Sequence, residues 1–310
     1  MKKILALFII FLMIATVLSG CTDTEDNVNQ NEENNEEKPN ENRNDYNPYS
    51  WSTMNEGPYN DQVSYATSTD LLTWTDSQEV LATHASVPGA IYKDGVIYVY
   101  FVDVTEDDIP ERIGLITSND DAQTWSEKQY IKVEGVGDKV PVDPAPFLLD
   151  NGSIRLYYFD IEEERTSLTE TQNKIYSAIS DDGLNFIDEN ICFNKPGVFD
   201  PDVILVDGVY RLYVGDISGN KVISATSTDG LTFTEEGIAY SGGAVPDVFF
   251  KDDTYYLYTA GIDISTSTDG ASFTKTSYRF ESEINMITAD PSVIELNDGS
   301  YIMFYKTKLT

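Results

Sequence analysis

The stretch Asp200-Pro201-Asp202-Val203-Ile204-Leu205-Val206-Asp207-Gly208-Val209-Tyr210-Arg211-Leu212-Tyr213-Val214, followed by Ser227-Thr228-Asp229-Gly230-Leu231-Thr232-Phe233, decides how this chain folds. Its first half is an apolar run of the length and β-branched content of a strand buried on both faces. Asp207-Gly208 predicts a two-residue hairpin turn, because glycine adopts positive φ at no steric cost. Tyr210 to Val214 returns as a second strand, and Lys221 to Thr226 reads as a third. The Ser-Thr-Asp-Gly phrase then turns the chain into a fourth near Phe233. One unit is therefore four short antiparallel strands.

Both phrases recur five times and interleave. The first centres on Pro88, Pro144, Pro201, Pro246 and Pro291, the second on Ser68, Ser118, Ser180, Ser227 and Ser267. A four-stranded unit repeated about every 40 to 60 residues is the signature of a β-propeller, one repeat per blade. The expected fold is all-β, a five-bladed propeller of four-stranded antiparallel blades. The last repeat ends soon after its second strand, while Ser68 precedes any Pro-containing strand. The last blade should then be composite, with strands one and two from the C-terminus and strands three and four from about residues 62 to 80.

Residues 1–20 read as a leader: Lys2 and Lys3, an apolar run from Ile4 to Val17, then Leu18-Ser19-Gly20 before Cys21. The placement of that cysteine resembles the prokaryotic lipobox, which implies lipidation at Cys21 and a lipid-anchored protein facing outside the cytoplasm. An uncleaved membrane anchor is the other reading of the apolar run, which is short for a span. Residues 21–47 are an Asp-, Glu- and Asn-rich stretch too poor in apolar side chains to offset its ordering entropy, and are expected to be a disordered tether. Residues 48–310 carry the propeller, expected to be a monomer.

The chain holds 53 Asp and Glu against 20 Lys and Arg, a formal net charge of −33. Such a surface repels nucleic acid and anionic polymers and attracts cations. Cys192 is the only cysteine besides Cys21, so it is expected to be a small buried apolar residue.

Antiparallel geometry sorts the two faces. The residue before the strand-one proline is Val87, Asp143, Asp200, Val245 and Asp290 in blades one to five, so three blades aim a carboxylate at the mouth of the channel. Asp202 and Asp247 follow their prolines, and strand two of blades one to three ends on the same face in Asp103, Asp160 and Asp216. The loops beyond add Glu106, Asp107 and Asp108, then Glu162, Glu163 and Glu164. The Ser-x-Asp turns belong to the opposite face. Converging carboxylates raise one another's pKa, and a carboxyl kept protonated beside one that stays ionised is what glycoside hydrolysis requires. A bound Ca²⁺ is a second way to relieve such a cluster. Backbone bonding of each Asp within its own blade is a third.

The combination of Asp-Pro-x-Val/Phe, Asp-Gly-x-Tyr-x-Leu-Tyr and Ser-x-Asp-Gly-x-x-Phe resembles the five-bladed propellers of the arabinanase, levansucrase and invertase superfamily, including family 43 and family 32 glycoside hydrolases. That resemblance covers roughly residues 60 to 310. It implies a carbohydrate substrate, no organic cofactor, and catalysis by Asp143, Asp200 and Asp290, which match the family's Asp-Pro openings. The family also uses a Glu as general acid. No inner strand here opens on a Glu-Gly/Ala/Cys-Pro phrase, and Glu134 in Val-Glu-Gly-Val-Gly is the nearest match. A non-hydrolysing glycan-binding relative, or a Ca²⁺-binding surface or adhesive protein, therefore stands beside the hydrolase. The Ser-x-Asp turns resemble the Asp-box of sialidases, a motif that is also a structural turn, and its following aromatic is expected to pack between blades. A sialidase would in addition need a clustered Arg triad.

Asp202, Asp247, His84 and Trp51 are further candidates for holding a sugar, His84 as the one histidine and Trp51 as the one tryptophan outside the repeats. Arg155 and Arg211 occupy equivalent strand-two positions and are expected to pair between blades.

Overall fold

The computed structural model describes residues 57–309, except 106–110, 162–173, 217–219 and 283–286. The leader, Cys21, the tether and Trp51 lie outside the described residues. So do the loop carboxylates Glu106 to Asp108 and Glu162 to Glu164. Residues Tyr46–Thr310 form one compact unit.

The closing blade has the composite order expected. Strands β1 (Asp61–Ser68) and β2 (Thr75–Thr83) complete the sheet that the last two strands, β20 (Ala289–Glu295) and β21 (Tyr301–Lys308), begin. β1 and β21 are antiparallel and in register from Asp61 opposite Lys308 to Ser68 opposite Tyr301. The ends of the propeller are thus zipped together within one four-stranded blade.

Blade one is β3 (Ala85–Lys93), β4 (Val96–Asp103), β5 (Arg112–Ser118) and β6 (Gln129–Tyr130). Blade two carries an addition that the repeat pattern does not announce. Besides β8 (Pro141–Leu148), β9 (Ile154–Asp160), β10 (Lys174–Ser180) and β11 (Asn185–Asn194), its sheet includes β7 (Lys132–Glu134), parallel to the outermost strand. β7 follows β6 after one residue, so the chain is handed from the rim of blade one to that of blade two. Blade three is β12 (Val198–Val206), β13 (Val209–Asp216), β14 (Lys221–Ser227) and β15 (Thr234–Ser241). Blade four is β16 (Asp247–Lys251), β17 (Thr254–Thr259), β18 (Asp263–Ser267) and β19 (Thr274–Arg279). The turn between β12 and β13 has positive φ at both Asp207 (51°) and Gly208 (77°), as a two-residue hairpin requires.

Among the described residues the core falls into five apolar clusters, each centred on one junction between neighbouring blades. The aromatic after each Ser-x-Asp turn supplies the edge of that packing. Phe186 meets Tyr100, Phe233 meets Tyr157, Phe273 meets Tyr213 and Trp74 meets Tyr258, all edge-on, with the tyrosine on strand two of the preceding blade. Each of these four tyrosines also donates its hydroxyl hydrogen to a carbonyl of the same turn, at Gly183, Gly230, Gly270 and Leu71. At the fifth junction Trp125 packs on Phe304, and with no hydroxyl there the clasp is apolar.

Within the turns the Asp accepts backbone hydrogens. Asp182 Oδ1 takes Leu184 N and Asn185 N, both at 2.8 Å, and these bonds hold its carboxyl well below the usual range. The Ser-x-Asp phrase is a structural device here. Ser227 lies opposite Tyr210 at the start of β13, which puts these turns on the face away from the Asp-Pro openings.

One expectation changes in detail. Arg155 pairs with Glu189 and Arg211 with Glu236, each within its own blade, although Arg155 also donates to the Asp229 carbonyl of the next blade. Cys192 is buried against Ile175, and burial pushes its thiol up to about 12.

Candidate functional site at the channel mouth

The five inner strands surround a cavity of about 270 Å³ that reaches the mouth at the five residues preceding the prolines. All five have positive φ: Val87 48°, Asp143 50°, Asp200 47°, Val245 59° and Asp290 50°. In four blades the strand pairing slips there, between Ser86 and Gly89, Val142 and Ala145, Phe199 and Asp202, and Ala289 and Ser292. Each of these four openings is therefore a bulge, which breaks the in–out alternation and re-aims one side chain, while in blade four the strand begins only after the proline, at Asp247. The bulge brings Asp143, Asp200 and Asp290 into the same cavity.

The residue after each proline is spent on a different task. Asp202 Oδ2 accepts Val248 N at 2.8 Å and Asp247 Oδ2 accepts Val293 N at 3.2 Å, each on the inner strand of the next blade. Ser292 Oγ accepts Ala90 N at 2.9 Å in the same way. Blade one has Gly89 in this place, where a Cβ would lie 1.9 Å from the Pro144 carbonyl oxygen. Asp202 and Asp247, expected among the sugar-binding residues, line the cavity but hold neighbouring blades together through these bonds. Burial pushes Asp202 up to about 7, against the bonds from Val248 and Val203.

Three aspartates remain at the mouth. Asp143 and Asp200 face each other within hydrogen-bonding reach, and their proximity favours the protonated form of Asp143. Burial is the main cause that pushes Asp143 well above the ordinary range. The charge of Asp200, that hydrogen bond, and the charges of Asp290 and Glu111 push the same way. Burial also raises Asp290, but the Lys306 ammonium 2.6 Å from its Oδ2 pulls it back. The mouth thus combines a carboxyl pushed toward its protonated form, Asp143, with a lysine-bound carboxylate, Asp290.

Lys306, on β21, was not among the sequence candidates. It lies on the last strand outside both recurring phrases, and its partners come from β20 and β1, remote in sequence. Behind it Asp61 is buried, with Lys308 Nζ 2.7 Å from Oδ1 and Ser86 Oγ donating to Oδ2 at 3.3 Å. Glu111, just before β5, is the second addition; its charge reaches Asp143.

The other candidates are not brought to this cluster. Glu134 is exposed at the end of β7, opposite Ile187 on the outermost strand of blade two, with three further strands between it and the channel. The sequence places it in a loop before the inner strand of blade two, and the three-residue strand β7 carries it to the rim instead. His84 stands before β3 with its ring Nδ1 2.9 Å from the Tyr59 carbonyl oxygen, fixing the short helix Gly57–Asn60 to blade one. The strand-two carboxylates serve their own loops: Asp103 binds Lys128 at 2.6 Å, and Asp160 accepts Val140 N at 2.8 Å. Glu295 lies at the opposite end of the channel, paired with Lys251 at 2.6 Å. Among the described residues no group of three or more His, Cys, Asp or Glu side chains is arranged to hold a metal ion.

No protein-family model matches the sequence, and no curated protein matches it either. Solved structures do match in fold. The family 32 β-fructofuranosidase of Bombyx mori aligns with a TM-score of 0.56 at 15% identity, over 70% of this chain and 54% of that one. This chain thus spans about half the length of that enzyme. A thermostable family 43 glycoside hydrolase aligns with a TM-score of 0.56 at 14% identity, over 73% of this chain and 89% of that one. The catalytic domain of a family 62 α-L-arabinofuranosidase from Coprinopsis cinerea gives 0.53 at 13% identity, over 76% and 84%. In fold, the described part of this chain is a glycoside hydrolase-like five-bladed β-propeller.

Proposed function

We propose that the channel mouth cleaves a glycosidic bond in a neutral oligo- or polysaccharide, and that the protein does so outside the cytoplasm, anchored through a lipid on Cys21. The observation that carries the reading is the convergence of Asp143, Asp200 and Asp290 in one cavity, with Asp143 pushed toward its protonated form and Asp290 paired with Lys306. Carboxyl groups that hydrogen-bond directly are too close to flank a scissile bond, since acid and base stand about 5 to 9.5 Å apart in glycosidases. Asp143 and Asp200 therefore act as one unit, the proton reservoir. Asp290 is the base or nucleophile in this reading, and Glu111, whose charge reaches Asp143, is its candidate for passing a proton to a leaving oxygen. The fold neighbours include an enzyme whose complex with sucrose is known, which agrees with a carbohydrate ligand.

A second reading, a propeller that binds a glycan without cleaving it, is favoured by one observation. No inner strand brings a Glu to the mouth, and Glu295 faces the other end. The two separate in a hydrolysis screen of the full chain on aryl glycosides and on arabinan, xylan and fructan oligomers. Turnover that falls at least about a hundredfold in Asp290→Asn is the expected result for a base or nucleophile. Oligomer binding with no turnover in the wild type supports the second reading.

A further inference from the structure

Lys306 stands between two buried carboxylates, 2.6 Å from Asp290 and 3.9 Å from Asp61. Only one of them holds it closely. The reason lies two residues further along the same strand, where Lys308 faces the same way and sits 2.7 Å from Asp61. Asp61 is 1% exposed, and a carboxylate in that position needs a cation, because an unpaired buried charge costs several kcal/mol. If Lys308 did not supply it, the nearest ammonium would be that of Lys306, already within reach on the same two strands.

We propose that Lys308 is a positioning residue for the channel mouth: by engaging Asp61 it reserves Lys306 for Asp290. The β1–β21 seam that closes the ring then also sets the charge of a carboxylate in the cavity. The charged groups that bear on Asp290 are Lys306 and Lys308 from β21, Asp61 from β1 and Asp143 from β8, and Asp200 from β12 bears on Lys306. Of these, only Asp61 competes for Lys306 from the side away from the cavity. The catalytic consequence rests on the function proposed above, but the charge partition does not.

The test is therefore a titration that needs no turnover. The full-length chain is labelled with ¹³C at the aspartate carboxyls, and Asp290 is assigned by its loss in Asp290→Asn. In Lys308→Met, Asp61 draws Lys306 away, and Asp290 titrates about one unit or more higher than in the wild type. In Asp61→Asn/Lys308→Met the competitor is gone, and the wild-type value returns. An unchanged Asp290 in Lys308→Met, or a double variant that fails to restore it, overturns the proposal. Should Lys308→Met not fold, two milder variants decide. Lys308→Arg leaves Asp290 unchanged, and Asp61→Asn lowers it; a rise in either is contrary to the proposal. If the hydrolysis screen is silent while these shifts occur, the hydrolase reading fails and the positioning role stands. If turnover is found, the acidic limb of kcat/KM moves up with Asp290 in Lys308→Met.

Discussion

Val245 and Val87 occupy a conformation that suits neither of them. β-Branched residues at positive φ are genuine outliers, and the residue before a proline is ordinarily extended. Yet Val245 has φ 59° and Val87 has φ 48°, matching the aspartates of the other three blades. The left-handed conformation before the proline is therefore imposed by the blade and not by its local sequence. A test follows at Val245, where removing the side chain to Ala or to Gly deletes the same packing. Gly normally costs roughly 0.5 to 1 kcal/mol relative to Ala within a strand. Here the order reverses: Val245→Gly melts above Val245→Ala by about 2–4 °C, since only Gly accepts the left-handed region freely. Thermal unfolding of the two variants gives the answer, and Ala melting above Gly contradicts the strain. The same conformation explains which residues were legible beforehand. That Asp143, Asp200 and Asp290 converge could be read from their repeat position alone. That Asp202 and Asp247 bond the next blade could not, because it depends on how closely neighbouring inner strands approach, which no pattern of apolar residues records.

At the scale of the strand, the inner wall is held by side-chain bonds that step from blade to blade, from Asp202 to Val248, Asp247 to Val293 and Ser292 to Ala90. Blade two breaks the series, since Pro146 has no N–H to give. Gly89 answers by letting the strands β3 and β8 approach until a Cβ would meet the Pro144 oxygen at 1.9 Å. Gly89→Ala is expected to cost roughly 3 kcal/mol or more, as overpacking against backbone with no flexible neighbour does. Denaturant unfolding measures it, and a loss below about 1 kcal/mol, the size of an ordinary point substitution, contradicts the close approach. The strands themselves were readable because Asp-Gly turns and alternating aromatics punctuate each repeat. β7 was not, being three residues without such punctuation, and Glu134 was misplaced with it.

For the whole molecule, two sets of aspartates pull stability in opposite directions with pH. Those of the turns, Asp70, Asp182, Asp229 and Asp269, are lowered by backbone hydrogen bonds, so they add stability above the unfolded value near 4 and lose it as pH falls through their folded values. Those of the channel, Asp143, Asp202 and Asp247, are raised, chiefly by burial. Their contribution is complete below about pH 4 and is lost as pH rises through the folded values, for Asp202 about 7. The net charge of −33 at pH 7 adds self-repulsion in the same direction. The melting temperature should therefore peak at about pH 4 to 5 and fall toward pH 8; a maximum above pH 7 contradicts the burial of these carboxyls. The repeat count and the composite blade were both visible in the chain as written. The cationic side of the mouth was not, because Lys306 and Lys308 find Asp290 and Asp61 only when the two ends of the propeller meet. What remains decisive is whether Asp143 and Asp200 hold one proton between them. A ¹³C carboxyl titration of the wild type and Asp200→Asn reads this directly. One carboxyl of the pair should stay protonated well above pH 4, and Asp143 should titrate about one unit or more lower once Asp200 is neutral. Two independent titrations near the ordinary value, with Asp143 indifferent to Asp200→Asn, would remove the acid–base site from the channel mouth.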